Sequence, residues 1–364
     1  MVQLLLQALR TDPQFEVYHV DVRLSAGTGD IGSMRTGKVP LLVWHCLQAI
    51  WCRLRHGVTT FYYVPASPTR APLYRDWLVM FLCRPFFPRR IFHWHAAGLG
   101  EWLQRRAHRW ERWISKRLLD GPALSVVLRD FNRQDAAAVR SRRVEVIPNG
   151  TPDPCPDFER VVLPRRLERL MDRQRTATGK LTVFRVLHVG LCVREKGIFD
   201  TLEAIDRANR KNSGTRFKLR VAGTFWIDAQ RQEFESRCAA LKFPDGEPQV
   251  EILGFVSEAQ KNELFETSDC LSFPTYYSAE NAPSVLVESM AFGLPVITTD
   301  WRMMSELLPA GYPGVVQVQS PEQIAAKLVD AIHWKPFTTL REHYLRHFTT
   351  GEFWPKMKSA LLSV

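Results

Sequence analysis

From residue 183 onward, short β-branched apolar runs alternate with stretches whose apolar positions recur at helical spacing. The runs are 183–189, 217–223, 249–254, 269–274, 295–299 and 314–318, and the helical stretches between them include 198–210, 228–241, 257–268, 284–292 and 321–333. Strand, helix, strand at this spacing predicts α/β architecture with a doubly wound parallel sheet. The first half carries the same pattern less regularly, with strands predicted at 15–22, 59–64, 90–95, 123–128 and 144–148. It opens on a helical pattern at 3–10, where a fold of this kind should open on a strand and a glycine-rich loop. That element is expected to be missing. Met1 is then not the ancestral start, and an open slot should lie beside the 90–95 strand.

The segment 151–166 is rich in proline and charge, which marks a boundary between two domains. Charge separates the halves as well. Residues 1–180 hold 29 Lys and Arg against 16 Asp and Glu, whereas 181–364 hold 20 against 22. A basic first domain expects an anionic partner. The longest apolar runs, 39–52 and 77–87, are too short to span a bilayer. Seven cysteines at 46, 52, 83, 155, 192, 238 and 270 form no C-x-x-C pair, which argues against a zinc site or a disulfide framework and points to a reducing cytoplasm. The opening MVQLLLQALRTDPQ is amphipathic and lacks the features of a secretory leader.

The densest chemistry lies in 276–300, YYSAENAPSVLVESMAFGLPVITTD. Pro283 suits the first turn of a helix, and Gly293 with Pro295 suits its end. Glu280 then sits in a loop leaving one strand, and Glu288 projects from the next helix. Between them the free amides near Ser284, Val285 and Leu286 form a helix N-terminus that attracts phosphate. The loop VREKG at 193–197 also joins a strand to a helix, and Arg194 and Lys196 there can neutralise a leaving diphosphate.

This arrangement resembles the E-x7-E signature of the family 4 retaining glycosyltransferases, which have the GT-B fold of two Rossmann-like domains facing a cleft. IPNGTP (147–152), VLHVGLCVREKGIFDTLEAI (186–205) and ILGFV (252–256) resemble further pieces of that family in the same order. The resemblance implies an N-terminal acceptor-side domain over 1–150, a linker over 151–180 and a donor-binding domain over 181–344. The last segment, with Phe348, Phe353 and Trp354, would cross back onto the first domain from about 345 to 364. It implies a nucleotide-sugar donor, transfer to a glycan, lipid-linked or other acceptor, and retention of configuration, within envelope or exopolysaccharide biosynthesis. By the same resemblance Lys196 binds phosphate, Glu288 the ribose, and Gly254, Phe255 and Val256 line the base pocket. Glu280 and Asn281 would sit beside the transferred sugar, and His95 would touch it, with His93 as the competing choice. The family's arginine falls where this chain has Leu191, so either Arg194 takes over its task or the phosphates are held more weakly. With these fixed charges at the diphosphate and no D-x-D run, neither metal nor other cofactor is expected.

Two readings bear on the basic half. The stretch 100–121 carries Arg105, Arg106, Arg109, Arg112, Lys116 and Arg117 with Trp102, Trp110 and Trp113. It suits either an interfacial helix on anionic lipid, placing the protein at the inner face of a membrane, or a soluble helix with Trp in the core. No nucleic-acid-binding motif accompanies it. Gly98 and Gly100 would let backbone approach a ligand. Glu280 and Lys196 are expected to be replaceable without loss of folding. Two rivals to transfer are a degenerate GT-B protein that binds carbohydrate or a partner without turnover, and another GT-B activity such as a phosphorylase or a nucleotide-sugar epimerase.

Overall fold

The structure, a computed structural model, describes residues 2–22, 38–66, 68–175, 181–211, 214–278 and 280–364. The chain divides into two compact units, one formed by Met1–Thr151 with Thr350–Val364 and the other by Pro152–Thr349.

The first unit begins with α1 (Val2–Thr11) and α2 (Lys38–His56) and continues through β1 (Thr60–Tyr63), α3 (Arg70–Cys83), β2 (Arg89–Trp94), α4 (Leu99–Arg105), α5 (Arg109–Leu119), β3 (Leu124–Val127), α6 (Arg133–Ala138) and β4 (Val144–Val146). Its four strands are parallel and lie in sequence order, β1-β2-β3-β4. Right-handed crossovers that always step the same way place their helices on one face of the sheet. The core agrees, since α2, α3, α4 and α5 contribute Leu42, Met80, Trp102 and Leu119 to one cluster with Phe92 and Trp94. The opposite face, Ile91, Leu124 and Val126, packs against Leu5 of α1 and Phe353, Met357 and Ala360 of a C-terminal helix.

Three expectations fail here. Residues 15–22 alternate as a strand should, yet form none; backbone pairing needs a neighbour, and the described residues supply none. The sheet edges are β1 and β4, whereas the 90–95 strand is flanked by β1 and β3. The stretch 100–121 is also two helices, broken at Arg106–His108, where the His108 amide donates to Glu111 Oε2 at 2.7 Å. Segment 23–37 lies outside the described residues.

The second unit runs through α7 (Leu163–Arg175), β5 (Thr182–Val189), α8 (Ile198–Lys211), β6 (Thr215–Ala222), α9 (Asp228–Ala240), β7 (Val250–Gly254), α10 (Glu258–Thr267), β8 (Cys270–Phe273), α11 (Ser284–Ala291), β9 (Val296–Thr299), β10 (Val315–Val316), α12 (Pro321–Ala331) and α13 (Phe337–His347). Its six parallel strands follow the order β10-β9-β8-β5-β6-β7. Strand order therefore reverses between β5 and β8, and ligands of such sheets bind at the carboxyl ends beside that point. The last helix, α14 (Thr350–Leu362), returns to the first unit.

Residues 152–175 are not a plain linker. Phe158–Val162 form a π-helical turn that runs into α7, and Arg166 of α7 is fully buried. Its guanidinium donates to the carbonyls of Phe265 (2.6 Å), Ser268 (2.9 Å) and Phe292 (2.9 Å), at the carboxyl ends of α10 and α11. A cation there complements both helix dipoles and satisfies orphan carbonyls. Burial lowers its pKa to about 9, which still leaves it charged at neutral pH. Arg169 and Arg173 add ion pairs to Asp269 at 3.2 and 2.8 Å. The segment is thus part of the second unit's core. The returning element is also shorter than expected, because Phe348 is buried in the second unit beside Tyr344.

Candidate active site

The loop after β5 and the loop after β8 meet at the switch point of the second sheet. A 3₁₀ turn over Arg194–Lys196 ends at Gly197 in the left-handed region, φ 79°. A side chain there is excluded, since a Cβ would stand 2.2 Å from the Pro274 carbonyl oxygen just past β8. The Tyr276 amide donates to the Glu195 carbonyl at 2.8 Å and fastens the two loops together.

This contact delivers Lys196 to Glu280. The ammonium forms an ion pair with Glu280 Oε2 and lies 5.2 Å and 5.3 Å from the ring centroids of Phe273 and Tyr277. Both side chains are largely withdrawn from solvent, and the Thr275 hydroxyl stands 3.3 Å from the same carboxylate oxygen. Truncating either partner strands the other charge, so replacement carries a stability cost that a loop position alone does not suggest. Asn281 is buried next to Glu280.

Helix α11 starts at Ser284 behind Pro283, which makes no side-chain cap. Of the three amides singled out, that of Leu286 donates to the Pro283 carbonyl at 3.1 Å. Glu288, one turn further, is ion-paired with Lys261 of α10 at 2.7 Å.

Arg194 departs from expectation. Its guanidinium pairs with Glu233 of α9 at 2.6 Å and stacks 4.0 Å over Phe199, so it does not join the Lys196–Glu280 pair. The Arg194 contact is also the main cause that lowers the Glu233 pKa. Lys196 is therefore the cation that the structure brings to Glu280. Gly254 ends β7, and Phe255 and Val256 follow it on the same carboxyl edge, where the Gly223 amide donates to the Gly254 carbonyl at 2.7 Å. Phe255 is 84% exposed, an open aromatic face rather than a core residue.

The histidines of the first unit separate cleanly. His93 is buried within β2, its Nδ1 bonded to the Tyr62 hydroxyl, and burial holds its pKa well down. His95 lies just past the carboxyl end of β2, 4.1 Å centroid to centroid from His93, with a pKa that burial lowers to about 4. The amides of Gly98 and Gly100 are occupied by the protein's own Asp135, at 2.9 and 2.8 Å. A Cβ on Gly100 would meet the Gln134 carbonyl oxygen at 2.9 Å, so that glycine serves the contact between α4 and α6 and not a ligand.

Sequence reasoning missed Thr275, Lys261 and His188. The last is buried beneath the site, with Nδ1 3.0 Å from the Ser272 carbonyl, and burial lowers its pKa to about 4. Among the described residues no group of three or more His, Cys, Asp or Glu is placed to hold a metal ion, and no helix is long and apolar enough to cross a membrane. All seven cysteines are free thiols.

Two parallel α/β units with this site define a class, the GT-B glycosyltransferase fold, and solved structures share it. A glycosyltransferase from Rickettsia africae ESF-5 aligns at TM-score 0.65 and 15% identity over 91% of this chain and 84% of that one. HepE of Anabaena, in complex with UDP-glucose, aligns at TM-score 0.62 and 16% identity over 91% and 84%. Residues 171–344 match the model of the family "Glycosyl transferases group 1". The amylovoran biosynthesis glycosyltransferase AmsK of Erwinia amylovora is 25% identical over 149 residues, 40% of this chain and 35% of that protein.

Proposed function

We propose that this protein transfers a sugar from a nucleoside-diphosphate donor to a hydroxyl of a glycan or lipid-linked acceptor, with retention of anomeric configuration and without a divalent metal or other cofactor. The observation that carries this reading is the Lys196–Glu280 pair at the switch point of the second sheet. In transfer, the bond from anomeric carbon to β-phosphate breaks, the acceptor oxygen bonds that carbon, and the acceptor proton passes to the leaving phosphate. Charge then develops on the diphosphate. Lys196 and the amides of Ser284 and Val285 are preorganised to stabilise it, which is where electrostatic catalysis gains most.

Glu280 holds the ammonium in place before the donor arrives and is left facing the sugar once a phosphate takes over the cation. Asn281 adds hydrogen-bonding capacity beside it. Glu288 accepts from the ribose hydroxyls, for which Lys261 must release part of its hold. The open ring of Phe255, with Gly254 and Val256, offers a stacking face for the base. His95 is the first unit's candidate contact to the sugar. That HepE was solved with UDP-glucose supports a nucleotide sugar as donor, and AmsK's role in amylovoran biosynthesis supports a polysaccharide setting.

Incubation with a panel of UDP-, GDP- and ADP-sugars, with products followed by NMR, tests the reading. The expected product keeps the donor's configuration, and turnover survives EDTA. Inverted product, or activity lost to EDTA and restored by magnesium, overturns it. Leu191 and the diverted Arg194 favour one second reading, a binding protein without turnover. Absence of donor hydrolysis alongside measurable nucleotide binding would select it.

A further inference from the structure

Helix α2 is apolar on two opposite sides. Leu42, Cys46 and Ala49 face inward to α3 and the sheet. Trp44, Leu47, Trp51 and Leu54 are exposed, the last at 73%. At 3.6 residues per turn these four fall within an arc of about 80° on the far side of the helix. A water-facing stripe of two tryptophans and two leucines is not explained by packing of this unit.

The neighbouring helices extend it. α3 packs against both α2 and α5 in the single helix layer on this face of the sheet. Phe81 of α3 and Trp110 and Trp113 of α5 are exposed too, Trp113 at 68%. The charges on this layer have one sign. α2, α3 and α5 contain only two acids, Asp76 and Glu111. Both are buried, and both are ion-paired, to Arg75 and Arg70 at 3.0 Å. What faces water is Arg55, Arg109, Arg112, Lys116 and Arg117.

We infer that the outer face of the α2–α3–α5 layer is a docking surface for an anionic lipid bilayer, with the Trp/Leu stripe of α2 as the inserted part. Tryptophan, leucine and phenylalanine beside exposed arginine and lysine, with no exposed acid, match the apolar and anionic layers of a membrane surface. An interface with a second copy of this chain would bring like charges together, which this composition disfavours. The stretch 100–121 singled out by its sequence is only the flank of this surface; α4 is not part of it, and Trp102 is in the core. The inference stands apart from the donor site.

Flotation of the full chain with phosphatidylcholine vesicles containing phosphatidylglycerol tests it. Three proteins are compared: wild type, Trp44→Gln/Trp51→Gln/Leu54→Gln, and Arg55→Gln/Arg109→Gln/Arg112→Gln/Lys116→Gln. All substituted positions are at the surface, so thermal unfolding should match wild type. Wild type should bind, pure phosphatidylcholine should bind at least tenfold more weakly, and each variant should lose at least tenfold in partitioning. The apolar variant should lose binding even at low salt. Failure of wild type to float at low salt overturns the inference. So does an apolar variant that binds like wild type, or a wild-type dimer in sedimentation that the apolar variant abolishes.

Discussion

The two units use one building principle to opposite ends. The second sheet steps outward in both directions from β5 and β8, so its strand order reverses and two loops converge at the reversal. The first sheet steps one way only, β1-β2-β3-β4, and shows no reversal among the described strands. In the second unit the convergence creates chemistry, since Lys196 and Glu280, 84 residues apart, become partners. In the first unit the N-terminus of α4, which follows β2, is filled by Asp135 from within. Its unspent features are instead on the outside, as exposed aromatic and cationic side chains on one helix layer. The difference teaches that motif content alone does not make a site; topology decides which loops meet.

The contrast is broken most severely at Lys196. Lys196→Met should lower turnover by ~10²–10³, the effect of losing one preorganised charge-stabilising donor. It should also lower the melting temperature, because Glu280 is left buried and unpaired. The double variant Lys196→Met/Glu280→Gln should recover the melting temperature and none of the turnover. Single-turnover kinetics with calorimetric melting of the three proteins checks both halves.

Next in size is Arg166→Met. It removes three charge-assisted hydrogen bonds to the ends of α10 and α11 and should cost about 3 kcal/mol, read by urea denaturation. The same substitution at exposed Arg133 of the first unit, which pairs with exposed Asp130 at 2.6 Å, should cost less than about 1 kcal/mol.

A pH titration comes third. His188 titrates near 4 when folded and at about 6.5 when unfolded, because burial penalises its charge. The unfolded chain therefore binds more protons between those values. The contribution is fully present above about pH 6.5 and falls as acid is added toward pH 4. His188→Gln should flatten the fall of stability across that window, and an unchanged slope would remove His188 as its source. The smallest effect is expected from the Gln variants of Arg55, Arg109, Arg112 and Lys116, which should alter hydrolysis of a soluble donor by less than about twofold.

Much of the second unit was legible because its strands are short β-branched runs bounded by turn residues, and each was found within a few residues. Glu280 and Lys196 in loops, and Glu288 on the helix that opens at Ser284, were legible as residue types and positions. Their pairings were not. Nothing local to Arg194 announces Glu233 on the next helix but one, and nothing local to Glu288 announces Lys261. The proline-rich stretch before α7 looked like a boundary because Arg166 reads as a surface charge until its three carbonyl partners are assembled from distant helices. Residues 15–22 show the converse, a good strand pattern that lacks a neighbour. One miss had a local signal. His108 and Glu111 stand at capping-box spacing and mark the start of α5, which divides the stretch taken as one helix. The apolar run 39–52 is too short to span a bilayer. Its two-faced pattern, 42-46-49 against 44-47-51-54, carried more information than its length.

The central claim is that the switch point of the second sheet holds a nucleoside diphosphate through Lys196. Calorimetric titration of UDP, GDP and ADP into wild type and Lys196→Met/Glu280→Gln tests it directly, because the double variant keeps the local charge balance. One nucleotide should bind wild type with measurable heat and lose at least tenfold in affinity in the variant, about 1.4 kcal/mol. Binding of equal strength in the two proteins, or no binding of any of the three to wild type, would contradict it.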